Sequence, residues 1–139
     1  MAHVILTVAD FPRARTFYRD LLVFLGLTPV IDSPEYFYCV GGRTALGIRP
    51  ATGARVEESF SQERPGLHHL CFRARSREDV DALHAFLVAR DARVVHPPEE
   101  GRFAPGYYSV LFEDPGGIRL EANFVPGRGL LEPGARFGA

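Results

Sequence analysis

The 139-residue sequence has no lysine and no tryptophan, and only two cysteines and one methionine. The lack of lysine excludes a Schiff-base lysine mechanism. All 16 basic residues are therefore arginine, so any cation lining a site is a planar guanidinium suited to carboxylates or phosphates. Cys39 and Cys71 are too few for a disulfide framework and do not form a Cys-x-x-Cys pair. Both fall in strand-like segments and are expected to be buried free thiols. An excess of either charge is missing too. A formal net charge of −1 argues against a nucleic-acid or membrane-surface binder, since both need a basic excess to meet phosphates. No apolar run is long enough to cross a bilayer, and no basic segment followed by an apolar one opens the chain. The expected compartment is the cytoplasm. What is present, 46% hydrophobic and 24% charged residues, is a globular balance with room for one ordinary domain.

The chain contains an internal repeat. His3-Val4-Ile5-Leu6-Thr7-Val8 is an extended apolar run, followed by Asp10 as a natural N-cap and Pro12 early in a helix. Phe17, Tyr18, Leu21, Leu22 and Leu25 recur at helical spacing until Gly26. Sixty-six residues after His3 the pattern returns. His69-Leu70-Cys71-Phe72 is extended, Ser76 with Asp79 resembles a capping box, and Val80, Leu83 and Leu87 form an amphipathic stripe to about Arg90. Strand-like runs follow each helix: Leu27–Ile31, Glu35–Val40 and Arg43–Arg49, then Arg93–His96, Tyr107–Glu113 and Ile118–Phe124. Gly41-Gly42 and Asp114-Pro115-Gly116-Gly117 supply turns. Each half reads β-α-β-β-β, with module one at about 3–49, a connector at 50–65, module two at 66–125 and an irregular tail at 126–139. Neither half is large enough to stand alone, so the two are expected to pack as a single α+β domain spanning 1–139. The polar segment Pro97–Gly106 is expected to be a long loop that could act as a flap.

Strand alternation separates two faces. Val4, Leu6 and Val8 oppose His3, Ile5 and Thr7, and Leu70 and Phe72 oppose His69, Cys71 and Arg73. Likewise Leu120, Ala122 and Phe124 oppose Arg119, Glu121 and Asn123, while Leu46 and Ile48 oppose Ala45, Gly47 and Arg49. On the strand beginning near Tyr107, Tyr108, Val110 and Phe112 oppose Tyr107, Ser109, Leu111 and Glu113. The apolar sides are where the helices should lie. The other sides carry two imidazoles, a carboxylate and several guanidiniums, which need either mutual pairing or a ligand. Two imidazoles and a carboxylate suit a divalent ion that keeps open positions for water or substrate. Taken singly, each has a plainer reading: His3 could be a frayed terminal side chain, and Glu121 could simply pair with Arg119 or Arg73.

The segments His3–Asp10, Phe17-Tyr18-Arg19-Asp20-Leu21-Leu22, Gly66–Phe72 and Asp114-Pro115-Gly116-Gly117-Ile118-Arg119-Leu120-Glu121 together resemble the vicinal oxygen chelate superfamily over about residues 3–125. Its members include glyoxalase I, extradiol ring-cleavage dioxygenases, methylmalonyl-CoA epimerase, and fosfomycin- and bleomycin-resistance proteins. The resemblance implies two βαβββ modules pairing into a cup-shaped mixed sheet, with a metal held by His3, His69 and Glu121. The fourth ligand of glyoxalase I, a carboxylate that also serves there as a base, falls on Gly47, which weakens the case for thiohemiacetal isomerisation. The tyrosine that dioxygenases and fosfomycin transferases place ten residues before the last ligand is Leu111 here, and the threonine the transferases place two residues after the first histidine is Ile5. No named chemistry carries over whole.

The sequence thus points to a divalent-metal-dependent enzyme, the ion being Zn, Ni, Mn or Fe. It would act on a small oxygen-bearing substrate chelated to that ion, and the inward-pointing arginines suit an anionic one. Tyr107 is the candidate proton donor beside Glu121, and Arg49, Arg73, Arg119 and Ser109 are the candidate substrate contacts. The alternative is a non-catalytic small-molecule binder of the bleomycin-resistance type. The expected partners are a small-molecule substrate and a second copy of the chain in a homodimer, with no nucleic acid and no membrane.

Overall fold

The computed structural model describes residues 1–138; position 139, the end of the expected tail, lies outside the described residues. The chain resolves into two compact units, the first comprising Met1–Phe60 with Asp114–Gly117, the second Ser61–Glu113 with the chain from Ile118 onward. Each contains one helix and one four-stranded mixed sheet.

In the first unit β1 (His3–Val8) leads into α1 (Phe11–Phe24), followed by β2 (Thr28–Asp32), β3 (Phe37–Val40) and β4 (Ala45–Pro50), in the spatial order β1-β4-β3-β2. Asp10 caps α1 by accepting a hydrogen bond from the Arg13 backbone N–H (3.1 Å), and Pro12 occupies the first turn, where a missing N–H costs nothing. Gly26 then takes a left-handed φ of 84°, which lets the chain reverse into β2. Leu6, Val8, Ala14, Tyr18, Leu21, Leu22, Phe37, Leu46 and Ile48 are buried. Removing such side chains from water is worth roughly 1.5–3 kcal/mol for each of the larger ones.

In the second unit β5 (Leu70–Arg73) leads into α2 (Arg77–Ala89), then β6 (Arg93–Glu100), β7 (Tyr108–Glu113) and β8 (Arg119–Phe124), in the order β5-β8-β7-β6. Ser76 accepts from the Asp79 N–H (3.2 Å) while Asp79 accepts from the Arg75 N–H (3.2 Å), a reciprocal cap close to the one expected. Val80, Leu83 and Leu87 of α2 are buried with Val110, Phe112, Leu120 and Ala122 of the sheet. The apolar strand faces therefore do lie under the helices.

Two expectations need correction. The flap expected over 97–106 is shorter, because β6 runs on to Glu100 and pairs Glu99 with Ser109 and Glu100 with Tyr108. Irregularities in register on either side of His96 absorb Pro97 and Pro98, whose missing N–H groups break a regular ladder but not a bulged one. The remaining segment is held down: Gly101 N–H donates to Tyr107 O (3.0 Å), and Phe103 packs on Tyr107 (5.2 Å between ring centres) and on Phe137 of the tail (5.9 Å). The tail is irregular except for a single 3-10 turn at Gly129–Leu131, and its Gly138 N–H donates to Arg102 O at 2.8 Å. The second correction is Cys71, which is exposed; only Cys39 is the buried thiol that strand placement suggested.

The Asp-Pro-Gly-Gly turn has a structural task inside the first unit. Tyr18, fully buried on α1, donates its hydroxyl to Asp114 Oδ2 (2.9 Å), and Asp114 Oδ1 accepts from the Gly116 N–H (2.8 Å). Gly117 closes the turn with φ at 89° and its N–H on Asp114 O (3.0 Å). Among the described residues no helix is long and apolar enough to cross a membrane.

Candidate functional site

The polar face of the second sheet is laid out by register. Cys71, Glu121 and Leu111 are aligned across β5, β8 and β7, and Arg73, Asn123 and Ser109 form the adjacent row. Glu113 pairs with Arg119 in a third row. Alternation therefore places several polar groups on one surface while the opposite surface packs on α2.

Glu121 is the centre of this surface. It is buried, yet both carboxylate oxygens are engaged, as a buried charge requires. Oε2 lies 3.2 Å from His69 Nε2, and Oε1 accepts a short hydrogen bond from the Tyr107 hydroxyl. His69 Nδ1 in turn lies 2.8 Å from His68 Nδ1, so a His69 that donates from Nε2 accepts at Nδ1. The simple pairing of Glu121 with Arg119 or Arg73 is not what forms. Arg119 Nε instead donates to Glu113 Oε1 (2.9 Å), and Arg93 Nη1 to Glu113 Oε2 (2.6 Å).

The surroundings of Tyr107 and Glu113 displace both groups from their ordinary values. Burial, with added contributions from Glu121, raises the Tyr107 hydroxyl well above its ordinary value despite a hydrogen bond to Asn123 that works the other way. Tyr107 thus keeps its proton at neutral pH. Burial pushes the Glu113 carboxyl up, but the hydrogen bonds from Arg93 and Arg119 outweigh it and leave the group below the usual glutamate range. Glu113 is consequently a fixed anion that aims Arg119. Because the guanidinium is gripped through Nε, its terminal nitrogens are left for another acceptor.

The other expected residues are distributed as follows. Ser109 is buried on the same face as Glu121, and Arg73 is exposed at the end of β5. His3 and Arg49 belong to the first unit, both exposed, and the His3 ring stands edge-on to Tyr38 at 6.4 Å. Within the second unit His69, Glu121 and Tyr107 come together. Alternation gave no role to His68, Cys71, Asn123 or Glu113, although Cys71, Asn123 and Glu113 lie on the polar face by the same parity that selects Glu121.

This architecture can be set beside known proteins. The sequence model of the Glyoxalase/Bleomycin resistance protein/Dioxygenase superfamily matches residues 1–122. The chain belongs to that superfamily. A curated relative, the uncharacterised protein YqjT of Bacillus subtilis strain 168, is 32% identical over 125 residues, covering 87% of this chain and 95% of that protein. A provisionally assigned glyoxalase from Bacillus halodurans is 30% identical, with a TM-score of 0.79 over 90% of this chain and 95% of that one. A lactoylglutathione lyase from Agrobacterium tumefaciens is 26% identical, with a TM-score of 0.65 over 89% of this chain and 92% of that one.

Members of the superfamily generally use a divalent metal. Among the described residues no group of three or more His, Cys, Asp and Glu side chains is arranged to hold one. The pair that does come together has suitable dimensions. Nitrogen and oxygen ligands at about 2.0–2.2 Å from one ion, at angles between octahedral and tetrahedral, sit roughly 3.0–3.5 Å apart. The 3.2 Å between His69 Nε2 and Glu121 Oε2 falls in that span. A neutral imidazole and a carboxylate are also the right donor types.

Cys71 offers a direct check on this arrangement. Its thiol is pushed up to about 12, first by burial of the sulfur and then by the neighbouring Glu121 charge and hydrogen bond. A rise from 9.0 to about 12 lowers the thiolate fraction near neutral pH roughly 1000-fold, and the thiolate is the nucleophile. Metal-free protein at pH 8 should therefore alkylate slowly at Cys71 with iodoacetamide although the residue is exposed, and Glu121→Gln should speed the reaction. Labelling at the rate of a free cysteine would show that Glu121 does not sit against the sulfur.

Proposed function

We propose that this protein is a divalent-metal-dependent enzyme of the superfamily, acting on a small oxygen-bearing substrate. The observation that carries the reading is the His69–Glu121 contact at 3.2 Å, with Tyr107 on the second carboxylate oxygen. His69 and Glu121 supply two ligands, and His3 is the third that the resemblance implies. A bound ion would polarise a substrate oxygen and stabilise negative charge developing on it. Tyr107 holds Glu121 through Oε1 and so directs Oε2 to the His69 side, while retaining a proton at its own oxygen that it can donate. Arg119, aimed by Glu113, supplies a cation on the same sheet face for a carboxylate or phosphate on the substrate. The structure carries no isomerase base at position 47, which is glycine. The preferred chemistry therefore relies on Tyr107 rather than on a second carboxylate.

Elemental analysis of purified protein beside a His69→Ala variant tests the reading. Near-stoichiometric metal is expected in the wild type, with at least a 10-fold fall in affinity in the variant, since loss even of an outer-shell partner costs about 10–100-fold. A wild type that stays metal-free after supplementation with Zn²⁺, Mn²⁺, Ni²⁺ and Fe²⁺ would instead favour the non-catalytic binder. We further propose that the chain acts as a homodimer in the cytoplasm.

A further inference from the structure

The two sheets repeat one another row by row, which makes a difference between them informative. In the second unit the central row is Cys71, Glu121, Leu111; the equivalent row in the first unit is Ile5, Gly47, Tyr38. The position that carries the buried carboxylate in one repeat is thus a glycine in the other. The space is not empty. A Cβ at Gly47 would lie 2.7 Å from Tyr38 Cδ2 and 3.0 Å from Ile5 Cδ1, so the tyrosine ring lies down on the β4 backbone where a side chain would otherwise rise. Tyr38 is stacked with Tyr36, two residues earlier on the same face, at 5.9 Å between centres and 16° between planes, and the His3 ring meets its edge. Both tyrosines are only partly buried, whereas Phe37 between them is fully buried in the core.

We infer that Tyr38, seated on Gly47 and stacked with Tyr36, is a binding platform for a planar, conjugated small molecule. Gly47 is required because only a residue without Cβ lets the ring lie against the strand. The near-parallel pair offers a flat π-surface that a further ring can extend by offset stacking. A saturated ligand of the same size would lose that registry, since its puckered carbons cannot approach a ring face as closely. The inference names a ligand class for the first unit and goes beyond the enzymatic reading without resting on it. Binding itself requires no metal, so the two fail separately.

Calorimetry on chelator-stripped protein with 2-naphthol, and with its saturated counterpart decahydro-2-naphthol, tests it. The expected result is binding of 2-naphthol, with the saturated compound at least about 10-fold weaker. Tyr38→Leu, a change on a half-exposed side chain, should weaken 2-naphthol at least about 10-fold, and Tyr38→Phe should stay within about 3-fold of wild type. Gly47→Ala should also weaken binding, because the new methyl displaces the ring. Absence of 2-naphthol binding, equal affinity for the two compounds, or indifference to Tyr38→Leu would each overturn the inference. None of these results depends on whether His69→Ala loses metal.

Discussion

Replacing Glu121 by glutamine should raise the dissociation constant for Zn²⁺ at least about 100-fold, while the metal-free protein melts within a few degrees of the wild type. The asymmetry follows from the contacts. Glutamine can still accept the Tyr107 hydrogen bond at one end of its amide, so little packing is lost. What disappears is the negative charge, and a neutral amide oxygen is a much poorer ligand for a divalent ion than a carboxylate. Outer-shell changes already cost 10–100-fold, so a direct ligand should cost more. Competition with a chromogenic chelator measures the affinity, and calorimetric melting measures the fold. Unchanged Zn²⁺ affinity would remove Glu121 from the ligand set and with it the metal-dependent reading. A collapse in stability would show that the charge is there for structure.

Asp114→Ala should have the opposite signature, lowering stability strongly by way of the first unit. It removes the acceptor of the buried Tyr18 hydroxyl and of the Gly116 N–H together. The buried Tyr18 donor left without a partner costs about 1–3 kcal/mol and the half-buried Gly116 N–H adds less, so the change should cost about 1–4 kcal/mol. At roughly 3–4 °C per kcal/mol for a chain of this size, the melting temperature should fall by about 3–16 °C. Tyr18→Phe deletes only one bond and should fall less. The same pair sets an alkaline limit. Burial, then the Asp114 charge, raises the Tyr18 hydroxyl well above its ordinary value of 10.0. A proton held more tightly in the fold than in the unfolded chain stabilises the fold fully below pH 10, and the contribution drains away as pH climbs toward the raised value. Tyr107 is displaced in the same direction, so Tyr18→Phe should remove part of the loss of stability above pH 10, not all of it. A melting curve equally steep in Tyr18→Phe would place the alkaline sensitivity elsewhere.

Much of this was legible in the sequence because the controlling signals are local. Asp10 with Pro12 and Ser76 with Asp79 mark helix starts, and strand alternation separates Leu120 and Ala122 from Glu121 without reference to distant residues. The pairing of His69 with Glu121 was reachable because the repeat supplied the frame that joins β5 to β8. Other features depend on register, which alternation does not give. That Glu113 rather than Glu121 takes Arg119 is decided by which residues sit opposite each other on β7 and β8. That Tyr38 fills the place above Gly47 likewise needs the β3–β4 alignment. The extension of β6 past Pro97 and Pro98 was masked by the rule that prolines end strands, which bulges relax. Cys71 looked like core because its neighbours are apolar, but it shares its face with Arg73.

The aromatic contacts that run from Phe137 through Phe103 to Tyr107 tie the segment after β8 to the hydroxyl that steadies Glu121. Removing the Phe137 or Phe103 ring should therefore loosen the setting of the Tyr107 hydroxyl against the carboxylate while the strand pairing of β7 with β8 is kept. Substitutions along this aromatic path then act on the surroundings of Glu121 and are not neutral surface changes.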